Sequence, residues 1–77
     1  MAHYELDARR LLCPMPVIRT QNRIKELQPG DTLAVFATDP GVKADIPAWC
    51  RVHGHHVEGI QELPERREWV VTVKVGG

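Results

Sequence analysis

Two prolines one residue apart, Pro14 and Pro16, follow Cys13 and restrict what the chain can form there. Proline lacks an N–H and has a fixed φ, so it is tolerated in the first turn of a helix, where that N–H would have no intrahelical partner. Pro14 is therefore predicted as the first helical residue, with Pro16 in the same turn and Cys13 at or beside the N-cap. The free N–H groups and positive dipole end of a helix favour an anion. A cysteine so placed is expected to ionise below the usual thiol value of about 8.5. Pro14, Met15 and Pro16 then form a rigid mount for a reactive sulfur. Arg9 and Arg10, just upstream, would support the thiolate or dock an acidic partner. The alternatives are a solvated turn for the arginines and a plain core cysteine for Cys13, since cysteine is among the most often buried residues. Leu11, Leu12 and Met15 fit either a core or an apolar collar around an exposed sulfur.

The flanking stretches set the fold. His3 to Ala8 alternates, with Tyr4, Leu6 and Ala8 on one face, and reads as a half-buried strand. Val17, Ile18, Ile24 and Leu27 follow helical spacing, so a first helix is predicted from about Pro14 to Leu27, ended by Pro29-Gly30. Thr32 to Thr38 is almost continuously apolar and reads as an interior strand, parallel to the first because a helix joins them. Asp39-Pro40 reads as an N-cap and first-turn pair. A second helix carries Val42, Ile46, Trp49, Cys50 and His53 and ends at Gly54. Pro47 either kinks it or lies in the first turn of a fresh helix begun at Asp45. His55 to Leu63 is a weaker strand, with a bulge expected at Gly59. Pro64 to Arg67 is a polar turn, and Glu68 to Val75 alternates strongly. The order is β-α-β-α-β-β. Right-handed crossovers put both helices on one sheet face, and the last strand inserts inside the third, giving a mixed sheet of order 1-2-4-3. An α+β two-layer sandwich of this kind leaves its other face bare. Ala34, Phe36 and Val70 are expected to be partly exposed there, so a monomer with weak self-association is predicted.

At 77 residues the chain is one domain with a small core. Ten basic and ten acidic residues cancel, which argues against a strongly electrostatic nucleic-acid binder. No apolar run approaches the ~20 residues that span a bilayer, and the N-terminus lacks the pattern of a signal peptide, so a cytoplasmic location is expected. Two cysteines do not make a disulfide scaffold. Cys50, on the apolar helix face, is expected to be an inert core thiol rather than a disulfide partner of Cys13. Cys50, His53, His55 and His56 contain zinc-ligand types but lack the paired spacing of a structural site, so no metal and no other cofactor is expected. A rival reading is a nucleic-acid-binding or regulatory interaction module, with Arg9, Arg10, Arg19 and Arg23 as its patch. A redox enzyme built on Cys13 is a third, but Pro16 stands where a Cys-x-x-Cys motif needs its second thiol.

Leu6-Asp7-Ala8, Leu11 and Cys13-Pro14-Met15-Pro16 together resemble the C-P-x-P signature of the TusA/SirA/YedF family of small sulfur carriers. Pro29-Gly30-Asp31, Asp39-Pro40, Asp45-Ile46-Pro47, Cys50 and Gly54-His55 extend the resemblance over almost the whole chain. It implies that Cys13 holds sulfane sulfur as a persulfide. The donor would be a cysteine desulfurase or a rhodanese, and the acceptor a cysteine on a further protein such as a DsrE/TusD-like one. It also implies a stoichiometric sulfur carrier with sulfurtransferase chemistry rather than a free-standing enzyme. The end uses it implies are tRNA thiolation, molybdenum cofactor supply or oxidative sulfur metabolism. Two positions depart from the family pattern. Arg10 stands where glycine is common, and Met15 where the tRNA-thiolation type has glutamate. Both bear on the choice of partner.

Overall fold

The structure, a computed structural model, describes residues 2–76. Its elements are β1 (His3–Ala8), α1 (Met15–Ile24), β2 (Thr32–Ala37), α2 (Val42–His53), β3 (His56–Leu63) and β4 (Glu68–Lys74). The four strands form one sheet of order β1-β2-β4-β3. β1 and β2 are parallel, and β4 is antiparallel to both β2 and β3. This is the predicted two-layer sandwich and strand order. The strand alternation decides the layering. Ala8, Leu33, Val35, Ala37, Val71 and Val73 face the helices and are fully buried, where they meet Ile24, Val42, Ile46 and Cys50.

The helices differ in detail from the sequence reading. α1 begins at Met15 with Pro14 as N-cap, one residue later than predicted, and the Cys13–Pro14 peptide is cis. It ends at Ile24, and the chain reaches Leu27 through a tight turn in which Leu27 N–H donates to the Ile24 carbonyl. Leu27 still lies in the core. The buried stripe of α1 is Pro16, Thr20 and Ile24, at intervals of four residues. Ile18 lies off that stripe and is 40% exposed, contrary to expectation. Thr20 is tolerated inside because its hydroxyl donates to the Pro16 carbonyl at 2.8 Å.

α2 is one helix through Pro47. The bond that Pro47 cannot make would have gone to the carbonyl of Lys43, an exposed residue, so water can serve that carbonyl. The N-cap is Gly41, not Asp39, which lies two residues earlier. Gly54 closes the helix in the left-handed conformation at φ 80°, which glycine adopts without strain. The register shift between Val57 and Gly59 is the expected bulge.

The uncovered sheet face departs from the expectation at Ala34 alone. Ala34 is buried, and Phe36 and Val70 are half-buried. The Arg9 guanidinium lies 4.8 Å from the Phe36 ring centre and pairs with Glu68 at 3.0 Å, so a cation shields the aromatic from water. Asp31 is buried where β2 begins. It accepts N–H groups from Ala2 and Gln28, which hold its carboxyl below the usual range.

Candidate functional site

Cys13 is exposed and lies in the β1–α1 connection, beside the loop that leads into α2. Two aspartates fix it. Its backbone N–H donates to Asp39 Oδ2 at 2.8 Å, and its thiol donates to Asp45 Oδ2 at 3.0 Å. Asp39 also accepts the Gly41 N–H through Oδ1 at 2.9 Å, so one carboxylate ties the cysteine loop to the start of α2. These two N–H donors hold Asp39 below the ordinary carboxyl range. Gly41 allows the arrangement sterically. A Cβ there would come within 3.3 Å of both Asp39 Oδ1 and Asp45 Oδ2.

The predicted thiolate setting does not form. Of the first four residues of the α1 start, Pro14 and Pro16 have no N–H to offer. Met15 N–H is bonded to the Leu12 carbonyl at 2.8 Å, and Val17 N–H to the Pro14 carbonyl at 3.1 Å. No free donor therefore points at the sulfur. The charges that act on it are carboxylates. The hydrogen bond to Asp45, then desolvation, then the negative charges of Asp45 and Asp39 push the Cys13 thiol above its ordinary value. The 3.0 Å contact is one in which the protonated thiol donates to Asp45.

Arg9 does not stand beside Cys13 as thiolate support. Arg9 turns to Glu68, Asp7 and the Phe36 ring on the open sheet face. Arg23 lies over Tyr4, on the helix-covered face, so Arg9 and Arg23 do not converge into one basic patch. Arg10 sits at φ 66°, with its N–H donated to Thr38 Oγ1 at 2.8 Å. That left-handed conformation is strained for a side chain bearing a Cβ. Arg10→Gly is expected to raise the unfolding free energy by up to about 1 kcal/mol, read by chemical denaturation. The gain is limited because glycine is also freer when unfolded.

The apolar residues divide cleanly. Leu11 packs against the core, whereas Leu12 is 76% exposed and Met15 39%. Leu12 and Met15 flank Cys13 in sequence, and Ile18, also exposed, follows one turn later in α1. Cys50 is buried and free, and burial pushes its thiol up to about 11. His53 and His55 pack their rings near that of Trp49, with centroids 4.6 and 5.3 Å away. His55 Nδ1 accepts the Gly76 N–H, and its pKa is lowered, chiefly by burial. Trp49, His53, His55 and Gly76 line a groove of about 400 Å³ at the far ends of α1 and α2, away from Cys13. Among the described residues, no three His, Cys, Asp or Glu side chains are grouped to hold a metal ion.

The family profile described as Sulfurtransferase TusA matches residues 4–75 of the chain. The chain belongs to the TusA family. Curated TusA relatives are consistent with that placement. The sulfur carrier protein TusA of Pseudomonas aeruginosa is 46% identical over 57 residues, covering 74% of this chain and 72% of that protein. The Bacillus subtilis protein YrkF is 45% identical over 56 residues, 73% of this chain but only 30% of YrkF, so the chain matches under a third of that relative. Among solved structures, a SirA-like protein from Desulfitobacterium hafniense superposes with a TM-score of 0.82. It is 24% identical and covers 96% of this chain and 99% of its own, a likeness of fold. In this TusA-family chain, Asp39 and Asp45 both contact Cys13 directly. The sequence reading assigned Asp39 only to helix capping and gave Asp45 no role at the sulfur. The available signal was the pair of acids, Asp39 and Asp45, that flank Pro40-Gly41-Val42-Lys43-Ala44 at the start of α2.

Proposed function

We propose that this TusA-family protein carries sulfane sulfur as a persulfide on Cys13 and relays it from a donor protein to an acceptor cysteine. The observation that supports this most is an exposed sulfur, flanked in sequence by exposed Leu12 and Met15, with no second thiol within reach. A neighbouring thiol would attack the loaded persulfide and release the sulfur as a disulfide formed, so isolation of Cys13 is what a carrier needs. Loading is an exchange. Cys13 attacks the outer sulfur of a donor persulfide, the donor S–S bond breaks, and the donor leaves as a thiol. A cysteine desulfurase or a rhodanese fits the donor role, and a DsrE/TusD-like protein the acceptor role. tRNA thiolation, molybdenum cofactor supply and sulfur oxidation are the pathways to which such a relay would contribute, in the cytoplasm. Pro14, Met15 and Pro16 shape the mount, and Arg10 is a docking contact for the partner.

The test is intact-protein mass after incubation with a cysteine desulfurase plus cysteine, or a rhodanese plus thiosulfate. The expected result is a gain of one sulfur atom that a reductant removes. No gain from either donor would sink the reading and bring the binding-module alternative forward. Leu12 has its own prediction. Leu12→Glu should slow loading from a protein donor by about tenfold, since a charge in the centre of an interface is costly. Loading from a small persulfide should not change, because the chemistry at Cys13 is intact. Equal slowing with both donors would exclude a docking role for Leu12.

A further inference from the structure

The resting state of Cys13 poses a problem that its surroundings also answer. Sulfur exchange needs a thiolate, yet the sulfur lies against carboxylates and no helix N–H faces it. The charged groups that act on it are Asp45 from α2 and Asp39 from the loop before α2. The first turn of α1 contributes no acidic side chain, Arg9 is engaged on the open sheet face, and Arg10 makes no ion pair among the described residues. The two aspartates are not equivalent. Both Asp39 oxygens accept backbone N–H groups, so that carboxylate is committed to holding the loop. Asp45 touches the sulfur itself, at 3.0 Å, from the first turn of a helix pinned to the core by Val42 and Ile46.

We propose that Asp45 is the catalytic proton partner of Cys13, taking the thiol proton at Oδ2 as Sγ attacks and returning it to the sulfur that leaves. This rests on the persulfide reading above. In the loading step a bond forms between Sγ and the outer sulfur of a donor persulfide, R–S–SH. The donor S–S bond breaks and its electron pair stays on R–S. The proton passes from Sγ to Oδ2 and from Oδ2 to R–S. The products are the Cys13 persulfide and R–SH, and no oxidant or reductant is consumed. At the acceptor the same groups run in reverse. The acceptor thiol gives its proton to Asp45, and Sγ recovers it on leaving. A poor leaving group thus becomes a workable one, because the departing Sγ is protonated as it goes.

The proposal separates two quantities that rise together for an ordinary thiol. Asp45→Asn keeps the side-chain shape and removes the charge. Thiol ionisation, followed by iodoacetamide alkylation against pH, should then shift to lower pH, each unit giving about tenfold more thiolate below the midpoint. Loading from cysteine persulfide at pH 7, followed by intact mass, should nonetheless slow by roughly 10²-fold, as for loss of a positioned acid–base group. Asp45→Glu, which keeps a carboxylate, should recover most of the rate. Asp45→Ser is the second variant, of which the same split is required should the asparagine form fold poorly by circular dichroism. Loading that stays level or rises with the thiolate fraction in the variants, while wild type loads normally, would overturn the proton role alone. Absence of loading in wild type would overturn the persulfide reading and this role with it.

Discussion

Cys13→Ser is expected to take up no sulfur from either donor and to melt like wild type, whereas Cys50→Ser is expected to take up as much as wild type and to melt lower. The asymmetry follows from where the two thiols sit. Cys13 is exposed, and a serine hydroxyl at the same place can still donate to Asp45, so the loop keeps its ties. What is lost is the only polarisable nucleophile at the site. A hydroxyl neither ionises near neutral pH nor forms a persulfide. Cys50 is 1% exposed among Val42, Ile46 and Trp49. A hydroxyl there would be buried among apolar side chains with only a bond back to the Ile46 carbonyl open to it, at a cost of about 1 kcal/mol. In a domain of this size that lowers the melting temperature by roughly 4–8 °C per kcal/mol. Its thiol, pushed up to about 11 by burial, is also too weakly acidic to compete for sulfur at pH 7. Intact mass and thermal melts on the two variants decide the matter. Sulfur retained by Cys13→Ser would move the carrier site elsewhere, and an unchanged melt for Cys50→Ser would mean that its pocket admits water.

The fold was legible because each element has a distinct period. Tyr4, Leu6 and Ala8 alternate, and so do Trp69, Val71 and Val73. The run from Leu33 to Ala37 could only be an interior strand. The chain order then left few topologies. The position of Cys13 beside the start of α1 was legible for the same reason, since Pro14 and Pro16 admit few conformations around it. Its electrostatics were not. The reading from sequence assumed a helix end with free N–H groups, but two prolines remove two of those donors and the turn consumes the others. The charges that act on the sulfur come from Asp39 and Asp45, 26 and 32 residues further along, and local reasoning about Cys13 does not reach them. Arg9 misled in the opposite sense. It is close to Cys13 in sequence, yet strand alternation carries its guanidinium to Phe36 and Glu68 on the opposite sheet face. The same kind of miss occurred in α1, where the apolar residue Ile18 is exposed and Thr20 is buried. The stripe is set by Pro16 and Ile24, and a threonine can join it by bonding back to Pro16.

Ile46→Ala should lower the unfolding free energy by about 2–5 kcal/mol, the range for truncating a fully buried isoleucine. Ile46 is 0% exposed and lies on the buried face of α2 with Val42 and Cys50. For a domain whose total stability is expected near 5–15 kcal/mol, such a loss approaches global unfolding at moderate temperature. The effect should not stop at stability. Ile46 follows Asp45 directly, and its packing on the sheet sets the height of the first turn of α2. A cavity beneath that turn lets the helix settle or rock, and a shift of 1 Å breaks a hydrogen bond that is 3.0 Å long. The folded fraction of Ile46→Ala should therefore show a Cys13 that ionises at lower pH than wild type, although neither Cys13 nor Asp45 has changed. Val52→Ala is the control on the same helix. Val52 is 79% exposed, so its truncation should change stability by no more than about 0.5 kcal/mol and leave the thiol alone. Urea denaturation and alkylation against pH on the two variants measure both quantities. Should Ile46→Ala lose stability but keep the wild-type alkylation profile, the Asp45–Cys13 contact would be held by the Asp39 loop rather than by the seating of α2. Asp39→Ala would then be the substitution that releases it.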